Sequence, residues 1–243
     1  MCPRMYTQIK NGQKGDKYMI DIKTLTTPTA METLVTIMGM RNPYDSWSKS
    51  DSEIEYVNGE FQFSIGNSDW DLMKRLIKAG TEHRKFLRMI NVVADIKAPL
   101  YWWKEMDTYK IGTVCNSCST MHTITKKKFT LDDFSTDKIK TLSSDVIMAA
   151  TVSRLNELRD IYLNGDSEHA IKCKETWYEI IQLLPSSYNQ KRTMMINYET
   201  LLNIYGQRRS HKLDEWIKFC EWIENLPLLH DIIISEYRTC EPD

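Results

Sequence analysis

The sequence predicts an α/β fold, a small and mostly antiparallel sheet packed with helices. Three observations support it. Helical periodicity recurs along most of the chain, a β-type run from Phe86 to Ile96 lies near its middle, and short strand-like stretches precede that run. Nine glycines in 243 residues, with no G-x-G-x-x-G and no phosphate loop, give no support to a Rossmann or P-loop site. The expected organisation is an N-terminal arm over 1–28, one domain over 29–227 and a C-terminal tail over 228–243.

In chain order, the arm carries Gly12, Gly15 and Pro28 around one short strand, Tyr18 to Ile22. Thr29 to Met40 reads as a helix, with Met31, Leu34, Val35, Ile37 and Met38 as its apolar stripe and Gly39 as its end. A polar loop after Pro43 leads to weak alternation over 53–66, which suits a hairpin around Asn58-Gly59. Asp69 is placed to cap a helix from Asp71 to Ala79, and Gly80 to stop it. The Phe86 to Ile96 run then turns at Lys97-Ala98-Pro99 into an aromatic, charged segment.

Lys126-Lys127-Lys128 reads as a solvated loop and Asp132-Asp133 as a helix start. Four helices should complete the domain: Ser143 to Leu163, Ala170 to Leu184, Met194 to Gly206 and Lys212 to Leu226. Asn164-Gly165 ends the first and Pro185 the second. The tail from Leu228 is apolar, then polar, and is expected to pack loosely.

A hydrophobic content of 42% with seven Trp is enough to fill a sizeable core. A formal net charge of −1 provides no overall basic field for nucleic acid. Six cysteines are irregularly spaced, no signal peptide precedes them, and no apolar run is long enough to span a bilayer. The expectation is a cytoplasmic protein with reduced thiols, away from the membrane.

Three stretches bear on chemistry. Polar side chains set among Trp102, Trp103 and Tyr109 would suit a flat, charged, aromatic ligand; a buried amphipathic helix is the simpler reading. Cys115, Cys118 and His122 have spacing for three zinc ligands, but no fourth is evident and the segment reads as helical, so no metal is expected. Further on, Asn203 lies two turns beyond Asn197 on the expected helix, and Arg208-Arg209 falls at its C-terminal end. Cations there suit the helix dipole, and a planar guanidinium would also grip an anionic nucleotide. No G-x-S-x-G elbow or papain-type cysteine signature supports a protease.

Together these segments resemble the flavin-dependent thymidylate synthases, over roughly residues 30–225. Leu76 to His83 resembles the family's helix ending in a Glu-His pair before the central strand, and Lys97-Ala98-Pro99 the turn after that strand. Leu184-Pro185 through Arg208 is similar to its late block. The family signature R-H-R-x-x-S-x-N-E-x-S-x-R-Y aligns with Y-K-I-G-T-V-C-N-S-C-S-T-M-H, residues 109–122. Asn116 and Ser119 match it. Tyr109, Lys110 and Ile111 stand in place of Arg-His-Arg, Ser117 in place of Glu, and Met121 in place of the late Arg.

The resemblance implies FAD-dependent methylation of dUMP to dTMP, with methylenetetrahydrofolate and NADPH as co-substrates. It implies a homotetramer with sites between subunits and no enzyme residue attacking the base. On it, His83, Lys110, Asn116, Asn197 and Asn203 contact the flavin, while Ser119 and Arg208 hold the nucleotide. Lys104 and Arg88 are available to restore positive charge. The same scaffold would also serve another pyrimidine nucleotide or one-carbon donor, or a non-catalytic nucleotide-binding protein.

Overall fold

The structure, a computed structural model, describes residues 20–117, 119–165 and 170–238. It opens on strand β1 (Asp21–Thr26), which overlaps the short strand expected at Tyr18 to Ile22 and runs further; residues 1–19, most of the expected arm, lie outside the described residues. Helix α1 (Ala30–Met38) follows, closed at its start by a reciprocal cap. Thr29 Oγ1 accepts the Glu32 N–H, and the Glu32 carboxylate accepts the Thr29 N–H at 2.9 Å. Leu34, Ile37 and Met38 are buried, whereas Met31 and Val35 are exposed, so the helix buries a narrower stripe than expected.

A short helix α2 (Ser46–Lys49) leads to strands β2 (Glu53–Val57) and β3 (Glu60–Ser64), which pair as the expected hairpin. Asn58 at φ 53 and Gly59 at φ 89 both take left-handed backbone, as a two-residue I′ turn requires. Helix α3 (Asn67–Lys78) begins earlier than expected, and Asp69 does not cap it. Asp51 performs that task from outside, accepting the Ser68 and Asp69 N–H groups at 2.8 and 3.0 Å. Asp69 is instead fully buried, accepting hydrogen bonds from Arg41, Ser50 and Ser52.

After a 3-10 turn at Lys85–Arg88, the central strand β4 runs Asn91–Pro99. Lys97-Ala98-Pro99 therefore belongs to the strand, and helix α4 (Leu100–Met106) starts directly after Pro99. Strand β5 (Thr113–Ser117) and helix α5 (Thr120–Thr123) follow, then a 3-10 turn at Leu131–Asp133 in place of a longer helix. Lys127 of the lysine run pairs with Asp133. Helices α6 (Leu142–Leu163) and α7 (Ala170–Leu183) match expectation closely.

Strand β6 (Asn189–Asn197) is the largest departure, because residues 194–197 were expected to be helical. Nine residues of β6 pair antiparallel with β4, from Asn91↔Asn197 to Pro99↔Asn189. Met194 and Ile196 bury while Met195 is exposed, a period of two that this pairing enforces over helix propensity. Helix α8 (Tyr198–Arg208), helix α9 (Asp214–Glu224) and helix α10 (Leu229–Ile233) complete the order, with a π-helical turn at Ile234–Arg238. The apolar part of the tail does not pack loosely: Leu228, Leu229, Ile232 and Ile233 are all buried in the main core, and residues 239–243 lie outside the described residues.

The main sheet has the order β1-β4-β6-β5, antiparallel throughout. Val92, Ala94, Ile96 and Ala98 of β4, with Met194 and Ile196 of β6, face that core. A second core, with Phe129, Phe134, Leu155, Leu158 and Ile180, joins α6 and α7. Met148 and Val152 of α6 pack against this second core, while Leu142, Val146 and Ile147 at the start of the helix are exposed. No helix among the described residues is long and apolar enough to cross a membrane.

Candidate functional site around helix α8

β6 passes into α8 with no intervening loop, and three segments fasten to that junction. The Asn197 side chain caps α8, its Oδ1 accepting the Thr200 N–H at 2.9 Å. The Asn197 N–H donates to Gly112 O at 3.1 Å and the Tyr198 N–H to Ile90 O at 2.9 Å. The Thr200 hydroxyl donates to Ile111 O at 2.6 Å. The turn at 89–90 and the segment 109–113 thus flank the first turn of α8. They leave Met89 and Ile111 exposed on either side.

The sheet face away from the core continues this surface. Val93, Met195 and Val114 are cross-strand partners in one row, and Asp95, Thr193 and Asn116 in the next. Lys191 and Thr193 hydrogen-bond Asp95 and hold its carboxyl below the usual range. Among the cations, Lys85, Arg88 and Lys110 are exposed nearby in sequence.

On its first two turns α8 carries an ion pair. Arg84 Nε sits 2.8 Å from Glu199 Oε2, with side-chain exposures of 12% and 6%, though not aligned as a hydrogen bond. Arg84 Nη2 donates to Asn203 Oδ1 at 2.6 Å. At the far end, Arg208 donates from Nε to the Tyr109 hydroxyl at 2.9 Å and from Nη1 to Glu105 Oε2 at 2.8 Å. His211 Nε2 lies 2.8 Å from the same Nη1, and the guanidinium stacks 4.8 Å above the Trp216 ring. Trp216 Nε1 in turn donates to Glu105 Oε2 at 2.9 Å.

The expected site residues therefore divide. Asn197, Asn203 and Arg208 share α8, but Asn197 and Arg208 stand at its opposite ends, about 16 Å apart at 1.5 Å per residue. His83 is exposed in the turn after α3, and Lys110 and Asn116 are exposed on the segment that crosses α8 and on β5. Ser119 is half-buried where α5 begins, its carbonyl accepting the His122 and Thr123 N–H groups. Cys118 lies outside the described residues, and among the described residues no group of His, Cys, Asp and Glu is arranged to hold a metal.

Trp102 and Trp103 are core residues. Trp102 packs on Trp103, Trp216 and Phe219, and Trp103 Nε1 donates to Gln190 O at 2.9 Å, so neither presents a face to a ligand. Sequence reasoning missed Arg84, Glu105 and Glu199. Their partners lie far along the chain, and no local spacing signals such pairs.

No protein-family model matches the chain, and no curated protein matches it by sequence. Solved structures do. Thymidylate synthase X (ThyX) from Helicobacter pylori with FAD and dUMP superposes with a TM-score of 0.59 at 19% identity, over 89% of this chain and 98% of that one. A second structure of the Helicobacter pylori enzyme, also complexed with FAD and dUMP, gives 0.58 at 19%, over 91% and 100%. The fold is that of ThyX. Both ThyX chains are spanned almost end to end.

Proposed function

We propose that this chain binds FAD and dUMP and methylates dUMP to dTMP, with methylenetetrahydrofolate as the one-carbon donor and NADPH as the reductant. The observation that carries the reading is the ThyX fold, spanned at 98–100% of the length of structures that hold FAD and dUMP. The residues present fit a flavin nucleotide. Exposed Met89, Ile111 and Val114 offer apolar surface for a flat ring, and exposed Lys85, Arg88 and Lys110 offer charge for phosphates.

In this reading His83, Lys110, Asn116, Asn197 and Asn203 hold FAD, and Ser119 and Arg208 hold the nucleotide. FAD, when bound, supplies the redox chemistry of one-carbon transfer. The chain itself binds and orients. The Asn197 cap and the Ile111–Thr200 hydrogen bond fix the start of α8, so residues along the helix present at constant heights. The exposed apolar side chains at the start of α6 support a homotetramer, the assembly in which sites form between subunits. A cytoplasmic location suits the substrates.

One observation favours a second reading. Arg84 and Arg208 are both engaged by carboxylates, and the Arg-His-Arg of the signature is absent, so the scaffold would also suit a nucleotide-binding protein without catalysis. FAD titration followed by flavin fluorescence separates the readings. The purified protein should bind FAD, with Asn203→Ala and Lys110→Ala each weakening it, and should form dTMP when given dUMP, methylenetetrahydrofolate and NADPH. Absence of FAD binding at high micromolar ligand sinks the flavin assignment. FAD binding without dTMP formation leaves the non-catalytic reading standing.

A further inference from the structure

We infer that Glu105 sets the anion affinity of this site: its carboxylate occupies the Arg208 guanidinium, and a nucleotide phosphate binds there only by displacing it. The two ion pairs along α8 differ in a way that singles out this one. Arg84 and Glu199 have side-chain exposures of 12% and 6%, whereas Arg208 and Glu105 have 20% and 34%. Solvent, and an anion in it, reaches the second pair. A phosphate and the Glu105 carboxylate compete for the same planar donors, so the free charge at the end of α8 is what remains after that competition.

The surroundings make Glu105 a fixed competitor. Trp216, buried in the core, donates to Glu105 Oε2 at 2.9 Å and holds the carboxylate against Arg208 from behind. Arg208 has supports of its own. The Tyr109 hydroxyl accepts from its Nε at 2.9 Å, and the Trp216 ring lies 4.8 Å beneath its guanidinium. Neutralising Glu105 therefore leaves Arg208 in place and turns a compensated cation into an available one. Arg209, the next residue, stacks 5.0 Å over Tyr237 and takes no part in this pair.

The inference rests on the proposed nucleotide site, and the test separates the two. Calorimetric titration of the full chain with dUMP and with deoxyuridine gives the ratio of their affinities, which isolates the phosphate contribution. Glu105→Gln should raise that ratio at least tenfold. Arg208→Ala should lower it more than tenfold and should cancel the gain in the E105Q/R208A double variant. Arg209→Ala should leave it unchanged. Should Glu105→Gln fail to fold, as judged by its melting profile, Glu105→Asp keeps the charge on a shorter arm and should raise the ratio at least threefold. An unchanged ratio in folded Glu105 variants overturns the inference while dUMP binding itself persists. No binding of either ligand by any variant removes the nucleotide site as well.

Discussion

Gly112 and Asn197 occupy one space: a β-carbon on residue 112 would fall 1.8 Å from Asn197 Nδ2. Gly112 also has φ 69, where any other residue is strained. Gly112→Ala should therefore cost at least about 2 kcal/mol of stability, read from urea unfolding. In an Asn197→Ala background the overlap is gone, and Gly112→Ala should cost only the backbone strain, about 1 kcal/mol. Equal costs in both backgrounds would mean that the segment at 112 moves aside freely.

The Arg84–Glu199 pair is nearly buried, so removing one partner strands a charge. Arg84→Ala and Glu199→Ala should each destabilise by about 3 kcal/mol, and the double substitution by clearly less than their sum. Additive costs would show that the two side chains do not couple.

Leu142, Val146 and Ile147 form an apolar patch at the start of α6 that the described residues leave exposed. Light scattering should give a mass well above that of one chain, and Val146→Asp with Ile147→Asp should lower it. A monomer mass for the unaltered protein contradicts the tetramer.

Burial holds three acidic groups in their neutral forms. It pushes the Cys220 thiol from 9.0 up to about 12, raises Tyr101 with help from the Glu215 carboxylate, and raises Tyr198. Unfolding exposes groups that ionise at their ordinary values, so the folded state binds more protons at alkaline pH. Their contribution to stability is complete below about pH 9 and is lost as pH rises toward the folded values. Unfolding midpoints should fall between pH 9 and 11. At pH 8, peptide mapping after iodoacetamide should show Cys115 labelled and Cys220 spared until denaturant is added. Equal labelling of both would place Cys220 at the surface.

Local chemistry was legible where it was self-contained. The Asn58-Gly59 turn, the Gly80 stop at φ 101 and the ends of α6 and α7 follow from residues within a few positions of each other. Residues 189–197 were not legible, because Met194 and Met195 fit a helix equally well until β4 imposes its register. The site follows the same division. Asn203 and Arg208 lie on α8 and Asn197 caps it, so the three follow one short stretch of sequence, but their partners Gly112, Arg84 and Glu105 come from distant segments that only packing unites. Trp102 and Trp103 show the limit from the other side, since composition alone cannot say which way an aromatic points.

The direct passage of β6 into α8 has a consequence for how this protein can change. Residues 189–208 act as a rigid gauge with no slack in it. Sliding the strand by one position would exchange its inward and outward side chains, and would turn the helix by about 100° along with them. Which residue of α8 looks toward a ligand is therefore inherited from sheet alignment, and cannot be retuned by lengthening or trimming a connector. Within residues 189–208 a new specificity therefore comes by point substitution, and any chimaera that cuts there should lose the helix setting and the strand register together.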